Sequence, residues 1–329
     1  METTLQDYLF ALQLGEAQTF KNITVFPLHA SRNGGPAYVT LSEAVSSGGL
    51  RVTEISQGGS VPELLVVNQC DEPVLLLDGE ELVGAKQNRV LNTTILVREK
   101  SETRIPVSCT EQGRWNYQSA AFSPAEVVME KKVRSRKSRS VSDSLKSGQT
   151  FHSDQGEVWQ GIAELQAMAG SHSPTHAMSD VFRTREAGLQ ECLADFRCLP
   201  DQQGLLVVID GEVSGFDMVS RSEAYARLHE KLVRSYALDT LLQPPKTEAD
   251  PQPATVKAHS FLGELALARQ HKFQSVGYGW DLRFEGNQLA GSALVYDDHV
   301  IHAAFFRLDP VEAKPPMASL RQRRFHFEP

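Results

Sequence analysis

The chain has 329 residues, 41% of them hydrophobic, which is enough for one large domain or two ordinary ones with a well-formed core. Its 33 Lys and Arg against 41 Asp and Glu give a net charge of −8, which excludes a global attraction for nucleic acid or an anionic membrane. Four cysteines without close pairing predict reduced thiols. No stretch approaches the roughly 20 apolar residues that a spanning helix needs, so we expect a cytoplasmic protein with no membrane partner.

The first third of the chain is predicted to be rich in β-strands. A short amphipathic helix, Thr4 to Leu14, comes first because Leu5, Leu9 and Leu12 recur at helical spacing. Asp78-Gly79 lies between two apolar runs and is the dipeptide typical of a β-hairpin turn. Strands are predicted at Ile23 to Leu28, Leu50 to Ile55 and Leu64 to Val67, with three or four more between Val74 and Cys109.

The pattern changes to long polar helices from Ser123 to Phe196. The basic, serine-rich start of this region, Lys131 to Ser140, is predicted to be a mobile loop. A second β section then turns at Asp210-Gly211, and Ser222 to Leu242 has the spacing of a long amphipathic helix. A helix at Val256 to Arg269 is predicted next, followed by strands at Gly279 to Phe284, Gly291 to Tyr296 and His299 to Phe306.

These elements predict an α+β fold in which β-rich N-terminal and C-terminal sections are joined by helices. Two arrangements are compatible with the sequence: one composite domain around a shared site, or two separate domains. The predicted sections are a β-rich part with the candidate site (1–122), a helical insertion with a basic loop (123–198), an α+β part (199–310) and a loose tail (311–329).

The candidate site lies between Pro73 and Trp115, where charged groups are attached to apolar strands and are costly to bury unless they are paired. Glu80 and Glu111 are the candidate catalytic residues, since two carboxylates on adjacent strands can divide acid and base roles. Arg89 and Arg114 are candidates to neutralise them or to bind an anionic group of a substrate. Buried Arg–Glu pairs are also often structural, so the sequence leaves both interpretations open.

Other side chains of the segment suit a small polar or anionic ligand. Gln87 and Asn88 both donate and accept hydrogen bonds, which fits a ribose, a sugar or a base edge, although they could equally hold a loop. Trp115 could stack on a ring, but packing is the commoner role of a single tryptophan. From the second half of the chain, Arg283 and His302 are candidates to reach the same site.

Several site classes are not predicted. The chain has no Walker loop, nucleophile elbow, HExxH motif or dinucleotide fingerprint, and no set of metal ligands has a recognisable spacing. The sequence identifies no cofactor and no oligomeric state. A weak contact with a polyanion is predicted through the basic residues Lys131, Lys132, Arg134, Arg136, Lys137 and Arg139, although a solvated charged segment is the simpler interpretation.

Several motifs together resemble the ARG and rhodanese-phosphatase-superfamily-associated protein domain family, over roughly Gln18 to Phe306. They are Asp78-Gly79-Glu80, Gln87-Asn88-Arg89, Cys109 to Trp115, Lys231 to Tyr236, and Val300-Ile301-His302. The family's name implies association with ADP-ribosylglycohydrolase-like and rhodanese-like or phosphatase-like proteins, and association is not a mechanism.

The resulting hypothesis is a pocket protein that acts as a hydrolase or transferase on a nucleotide-like, ADP-ribose-like or glycosidic ligand. The alternative is a non-catalytic ligand-binding or assembly module that uses the same pocket. A third interpretation makes the whole polar cluster structural.

Overall fold

The computed structural model describes residues 5–30, 34–56 and 58–308, which contain eight helices and eighteen strands. The helices are α1 (Leu5–Phe10), α2 (Leu41–Ser46), α3 (Lys131–Lys146), α4 (Gln155–Ala169), α5 (Met178–Thr184), α6 (Glu186–Asp195), α7 (Ser222–Leu242) and α8 (Pro251–Leu265). The strands are β1 (Gln13–Leu14), β2 (Gln18–Phe20), β3 (Ile23–His29), β4 (Val39–Thr40), β5 (Leu50–Glu54), β6 (Glu63–Asn68), β7 (Val74–Leu76), β8 (Glu80–Gly84), β9 (Arg89–Leu91), β10 (Ile95–Val97), β11 (Ser101–Cys109), β12 (Phe122–Val128), β13 (Gly204–Ile209), β14 (Glu212–Val219), β15 (Arg269–Gln274), β16 (Trp280–Gly286), β17 (Leu289–Tyr296) and β18 (His299–Arg307).

The N-terminal section forms a small closed barrel. Its strands follow the order β11-β6-β5-β12-β8-β9, and a three-stranded sheet of order β10-β7-β4 accompanies it. Every second residue of a strand lies on the same face. In β5, β6 and β11 the alternate apolar residues form one cluster of buried side chains, which is the barrel core.

The C-terminal section is built on a nine-stranded antiparallel sheet of order β1-β3-β13-β14-β18-β17-β16-β15, with β2 also paired to β3. One face of this sheet packs against α7 and the helices α4 to α6, and the other packs against α1 and α8. Strand β3, from the first thirty residues, pairs with β13 of the C-terminal section. The predicted α+β fold with β-rich ends joined by helices is confirmed, while the division at residues 122, 198 and 310 stays a prediction.

The Asp78-Gly79 turn is not a β-hairpin, so that prediction was wrong. Strand β7 pairs with β10 and β4, whereas β8 pairs with β9 and β12. The turn therefore leads the chain from the small sheet into the barrel. Gly79 has φ +83, and a Cβ at this position would lie 2.8 Å from Cδ of Arg134, so glycine is required both by the backbone and by this close approach.

The basic segment is the start of helix α3 rather than the mobile loop that its composition predicted. The helix forms because its charged residues have partners inside the molecule. Arg134 and Lys137 are buried, and Lys131 donates a hydrogen bond to the backbone of Arg307. The polyanion contact stays a prediction for the partly exposed Lys132, Arg136 and Arg139, of which the first two already form ion pairs with Asp239 and Glu164.

Apolar spacing and turn residues predicted several helices and strands of the second half correctly. Helix α7 has the predicted bounds, and β16 to β18 follow the three predicted strands within a few residues. The Asp210-Gly211 hairpin is confirmed, since β13 pairs with β14. The predicted tail beyond Pro310 lies outside the described residues. Over the part of the chain that the structure describes, no helix combines the length and the apolar character that crossing a membrane requires.

Candidate functional site at the barrel end

Three barrel strands carry a polar residue on the face that otherwise forms the apolar core. Glu54 follows Leu50 and Val52 on this face of β5, and Arg89 shares its face with Leu91. Cys109 ends β11 and lies opposite Arg89 in the strand register. The three residues therefore meet at one end of the barrel, in an environment that is mostly apolar.

The carboxylate of Glu54 and the guanidinium of Arg89 face each other without closing a hydrogen bond. Arg89 Nη2 lies 3.8 Å from Glu54 Oε1, and the two side chains are 0% and 3% exposed. Within the described residues, neither carboxylate oxygen of Glu54 has a hydrogen-bond partner, and Arg89 Nε and Nη2 have none either. Buried polar groups are nearly always hydrogen-bonded, so this incompletely bonded pair is a candidate contact for a polar ligand.

The remaining donor of Arg89 is fixed by the chain segment that precedes it. Nη1 donates to the backbone oxygen and to the side-chain oxygen of Gln87, at 3.1 and 3.0 Å. Burial lowers the pKa of Arg89 from its ordinary value, an effect that the neighbouring Glu54 opposes. Burial also raises the pKa of Cys109 to about 11, so this thiol stays protonated near neutral pH.

Glu111 and Arg114 form a second ion pair next to the first. Arg114 Nη2 lies 2.6 Å from Glu111 Oε2, and the same guanidinium donates to Asn88 Oδ1 at 2.9 Å. Thr175 donates to Glu111 Oε1 at 2.7 Å, and the Asn88 backbone N–H donates to Glu111 Oε2 at 3.2 Å. Burial alone would raise the pKa of Glu111, but these hydrogen bonds outweigh it and keep this pKa below its ordinary value. Glu111 is therefore an ionised anchor for the loop at residues 87–88.

Trp115 covers the barrel end. Its side chain is 49% exposed, and its ring centroid lies 5.6 Å from Cζ of Arg89. Gly59 lies close to both Trp115 and Glu54, since a Cβ on this glycine would be 3.4 Å from Trp115 Cζ2 and from Glu54 Oε2. Lys86 donates to the backbone oxygen of Gly58 at 2.7 Å and lies 5.3 Å from the Trp115 centroid. One exposed indole and a glycine loop thus separate the buried ion pair from solvent.

Glu80 and Glu111, the predicted catalytic pair, form ion pairs with different residues. Glu80 is buried and forms an ion pair with Lys231 Nζ at 3.0 Å, a nitrogen that also donates to Ser42. The next residue of the strand, Glu81, faces the other way and accepts a hydrogen bond from Thr110 at 2.6 Å. Burial raises the pKa of Glu81, and the negative charge of Glu111 adds to this effect.

Arg283 and His302 belong to a different cluster, which lies between the barrel and the large sheet. His302 Nδ1 lies 2.8 Å from Thr94 Oγ1, and its Nε2 lies 3.3 Å from Asp217 Oδ1. Arg283 pairs with Asp281 and donates to Thr93 Oγ1 at 2.7 Å. Both side chains are 1% exposed, so they act inside the molecule.

The centre of this buried ion network is the guanidinium of Arg134. It donates to both oxygens of Asp217, at 3.0 and 2.7 Å, and to Asp78 Oδ2 at 3.0 Å. Tyr236 donates to Asp217 at 2.7 Å, and Lys137 pairs with Asp78. Burial would raise the pKa of Asp217, but Arg134 keeps it below its ordinary value. The network joins the β7–β8 turn, α3, α7 and the sheet, and its dense internal bonding fits a structural role.

Sequence reasoning missed Glu54 and Asp217, and it assigned Arg134 and Lys137 to a polyanion contact rather than to the buried ion network. A signal for Glu54 was present, because the alternation Leu50, Val52, Glu54 places its carboxylate on an apolar face. For Arg134, Lys137 and Asp217 the local sequence gives no such signal, because the ion pairs of Arg134 with Asp78 and Asp217, and of Lys137 with Asp78, join residues 56, 83 and 59 positions apart.

One family model, described as the ARG and Rhodanese-Phosphatase-superfamily-associated Protein domain, matches residues 11–306, so the chain belongs to this family. The description names an association with other proteins and no reaction. Neither the curated proteins nor the solved structures include a significant match to the chain.

Proposed function

We propose that this member of the family binds a small hydroxyl-rich ligand at the barrel end, against the carboxylate of Glu54 and the guanidinium of Arg89. The ligand class is the ribose or sugar part of a nucleotide-like, ADP-ribose-like or glycosidic molecule. The observation that carries the proposal is the buried pair at 3.8 Å whose facing atoms make no hydrogen bond within the described residues.

A hydroxyl group suits this pair because it donates and accepts at the same time. Its hydrogen would bond to the carboxylate of Glu54, and its oxygen would accept from Nε or Nη2 of Arg89. A vicinal diol would use both oxygens of the carboxylate and both nitrogens. Trp115 would then contact the apolar face of the sugar ring or an attached base, which is how aromatic side chains commonly hold such ligands.

The hydrolase or transferase hypothesis is the second candidate. It is favoured by the position of Glu54, a carboxylate in an apolar barrel that could accept the proton of an attacking water or hydroxyl. The predicted catalytic pair, Glu80 and Glu111, has less support, because both carboxylates are engaged at hydrogen-bond distance, by Lys231 and Arg114. The Glu54 carboxylate lies 3.8 Å from Arg89 and has no hydrogen-bond partner within the described residues. In this proposal Glu54 takes the acid–base role and Glu111 positions Asn88 and Arg114.

Binding is tested with ADP-ribose at millimolar concentration by thermal unfolding and calorimetry. We expect ADP-ribose to raise the melting temperature, since a ligand at 100 times its Kd stabilises the folded state by about 2.7 kcal/mol. Glu54→Gln should weaken binding roughly tenfold, because a hydrogen bond to a charged group is stronger than one to a neutral amide. The matched control is Glu248→Gln on an exposed residue.

The same variants and ligands distinguish an enzyme from a protein in which the polar cluster is only structural. If wild-type protein converts ADP-ribose to products and Glu54→Gln binds it without turnover, the chain is an enzyme. If Arg89→Met lowers stability while neither ADP-ribose nor a methyl glycoside protects the wild-type protein, the cluster is structural and the proposal fails.

A further inference from the structure

A cleft of about 550 Å³ lies at the edge of the large sheet, and Glu54, Arg89 and Trp115 are not among its lining residues. Its floor is apolar and is formed by Leu5, Leu282 and Val295. Trp280 stands at its side with 43% of its surface exposed, although large apolar side chains are normally covered. The volume falls within the range of small-molecule sites.

Aromatic rings and cations alternate along this cleft. Lys272 Nζ lies 4.4 Å from the centroid of Trp280, and Arg98 Cζ lies 4.7 Å from that of Tyr278. Tyr278 in turn stacks on Tyr296, with centroids 4.7 Å apart and ring planes at 21°. These contacts hold the two positive groups beside the ring surfaces, so a bound planar ring would lie close to a cation.

Polar side chains with complementary chemistry complete the cleft. Gln270 and Gln274 belong to the edge strand β15 on the same face as Lys272, and amides can pair with the edge of a base. Asp297 and Asp298 form the turn between β17 and β18, with both residues at positive φ, and are exposed at the cleft. Carboxylates accept hydrogen bonds from exocyclic amino groups and from ribose hydroxyls.

We propose that this cleft binds a mononucleotide, with the base against Trp280 and the apolar floor and the phosphate at Lys272 and Arg98. An uncharged sugar would use the rings and carboxylates but would leave the two cations unused. A simple organic anion would use the cations but not the indole. A nucleotide is the ligand class that matches the aromatic, cationic and acceptor groups together.

The test is calorimetric titration of AMP into the Glu54→Gln protein, so that the barrel end contributes little and the two proposals fail independently. We expect Trp280→Ala to lower AMP affinity roughly tenfold, within the range of about 5-fold to 150-fold that loss of one base-stacking contact produces. Lys272→Gln should weaken AMP but leave adenosine unchanged. Lys257→Gln, on another exposed lysine, is the matched control.

Three results would overturn the proposal: no binding heat with AMP, binding of ribose 5-phosphate as tight as that of AMP, or AMP binding by Trp280→Ala equal to that of its parent. Loss of adenosine binding in Lys272→Gln would remove the phosphate assignment. Because Trp280 and Lys272 are exposed at a sheet edge, circular dichroism should show that both variants remain folded.

Discussion

Replacing Asp217 by asparagine is expected to lower the free energy of unfolding by about 3–5 kcal/mol, the usual cost of removing one partner from a buried ion pair. Asp217 is fully buried and accepts hydrogen bonds from Arg134 and Tyr236. The substitution leaves the guanidinium of Arg134 with one carboxylate, Asp78, in a place that water does not reach. Urea denaturation of wild type and variant measures the difference.

A control variant and a double variant test whether the loss comes from the buried network. Glu212→Gln removes an acid from an exposed pair with Lys257 and should change stability little. Arg134→Met combined with Asp217→Asn should cost less than the sum of the two single changes, because each single change already breaks the same interaction. A loss in Asp217→Asn no larger than that of Glu212→Gln would show that the network does not hold the barrel to the sheet.

The buried network also explains which parts of the structure the sequence could predict. Helix α7 was located correctly because its apolar spacing is a local property of 21 residues. The basic start of α3 was assigned to a loop because charged residues are normally solvated. Its burial depends on Asp78 and Asp217, and nothing in the local sequence indicates that these acids lie next to the helix.

The Asp78-Gly79 turn illustrates the same limit for strand pairing. The dipeptide correctly indicated a turn, and Gly79 has the positive φ that such turns need. The partner of each flanking strand was decided by other parts of the chain, since β7 joins β10 and β8 joins β9 and β12. Turn chemistry therefore predicted a change of direction but not a hairpin.

The sequence indicated the residues of the candidate site that lie on neighbouring strands of the same chain segment. Gln87, Arg89, Glu111 and Arg114 come from neighbouring strands and a following loop, and the structure brings them together. Glu80 does not join them, because neighbouring residues of a strand face opposite sides and Glu81 is the one that points toward Thr110. A shift of one residue thus changed which acid lies near Glu111.

Glu81 gives the second large prediction, which concerns pH. Burial raises its pKa from about 4.5 to about 8, and the charges of Glu111 and Asp180 add to this effect. Between these pH values the folded protein holds a proton that the unfolded chain releases, so stability falls as pH rises. From pH 5 to pH 8 the titration of Glu81 should lower the free energy of unfolding by roughly 3 kcal/mol. Glu81→Gln should lack this pH-dependent loss of stability.

The comparison of variant and wild type isolates Glu81, because the other groups titrate equally in both proteins. Urea denaturation at pH 5 and at pH 8 should give a stability difference between Glu81→Gln and wild type that shifts in favour of the variant at the higher pH. Glutamine keeps the size of the side chain and an oxygen for the Thr110 hydroxyl, which donates to Glu81 at 2.6 Å. Glu248→Gln, on an exposed residue, serves as the control. A difference that stays constant with pH would mean that Glu81 is already ionised in the folded protein, which would contradict the raised pKa that its burial predicts.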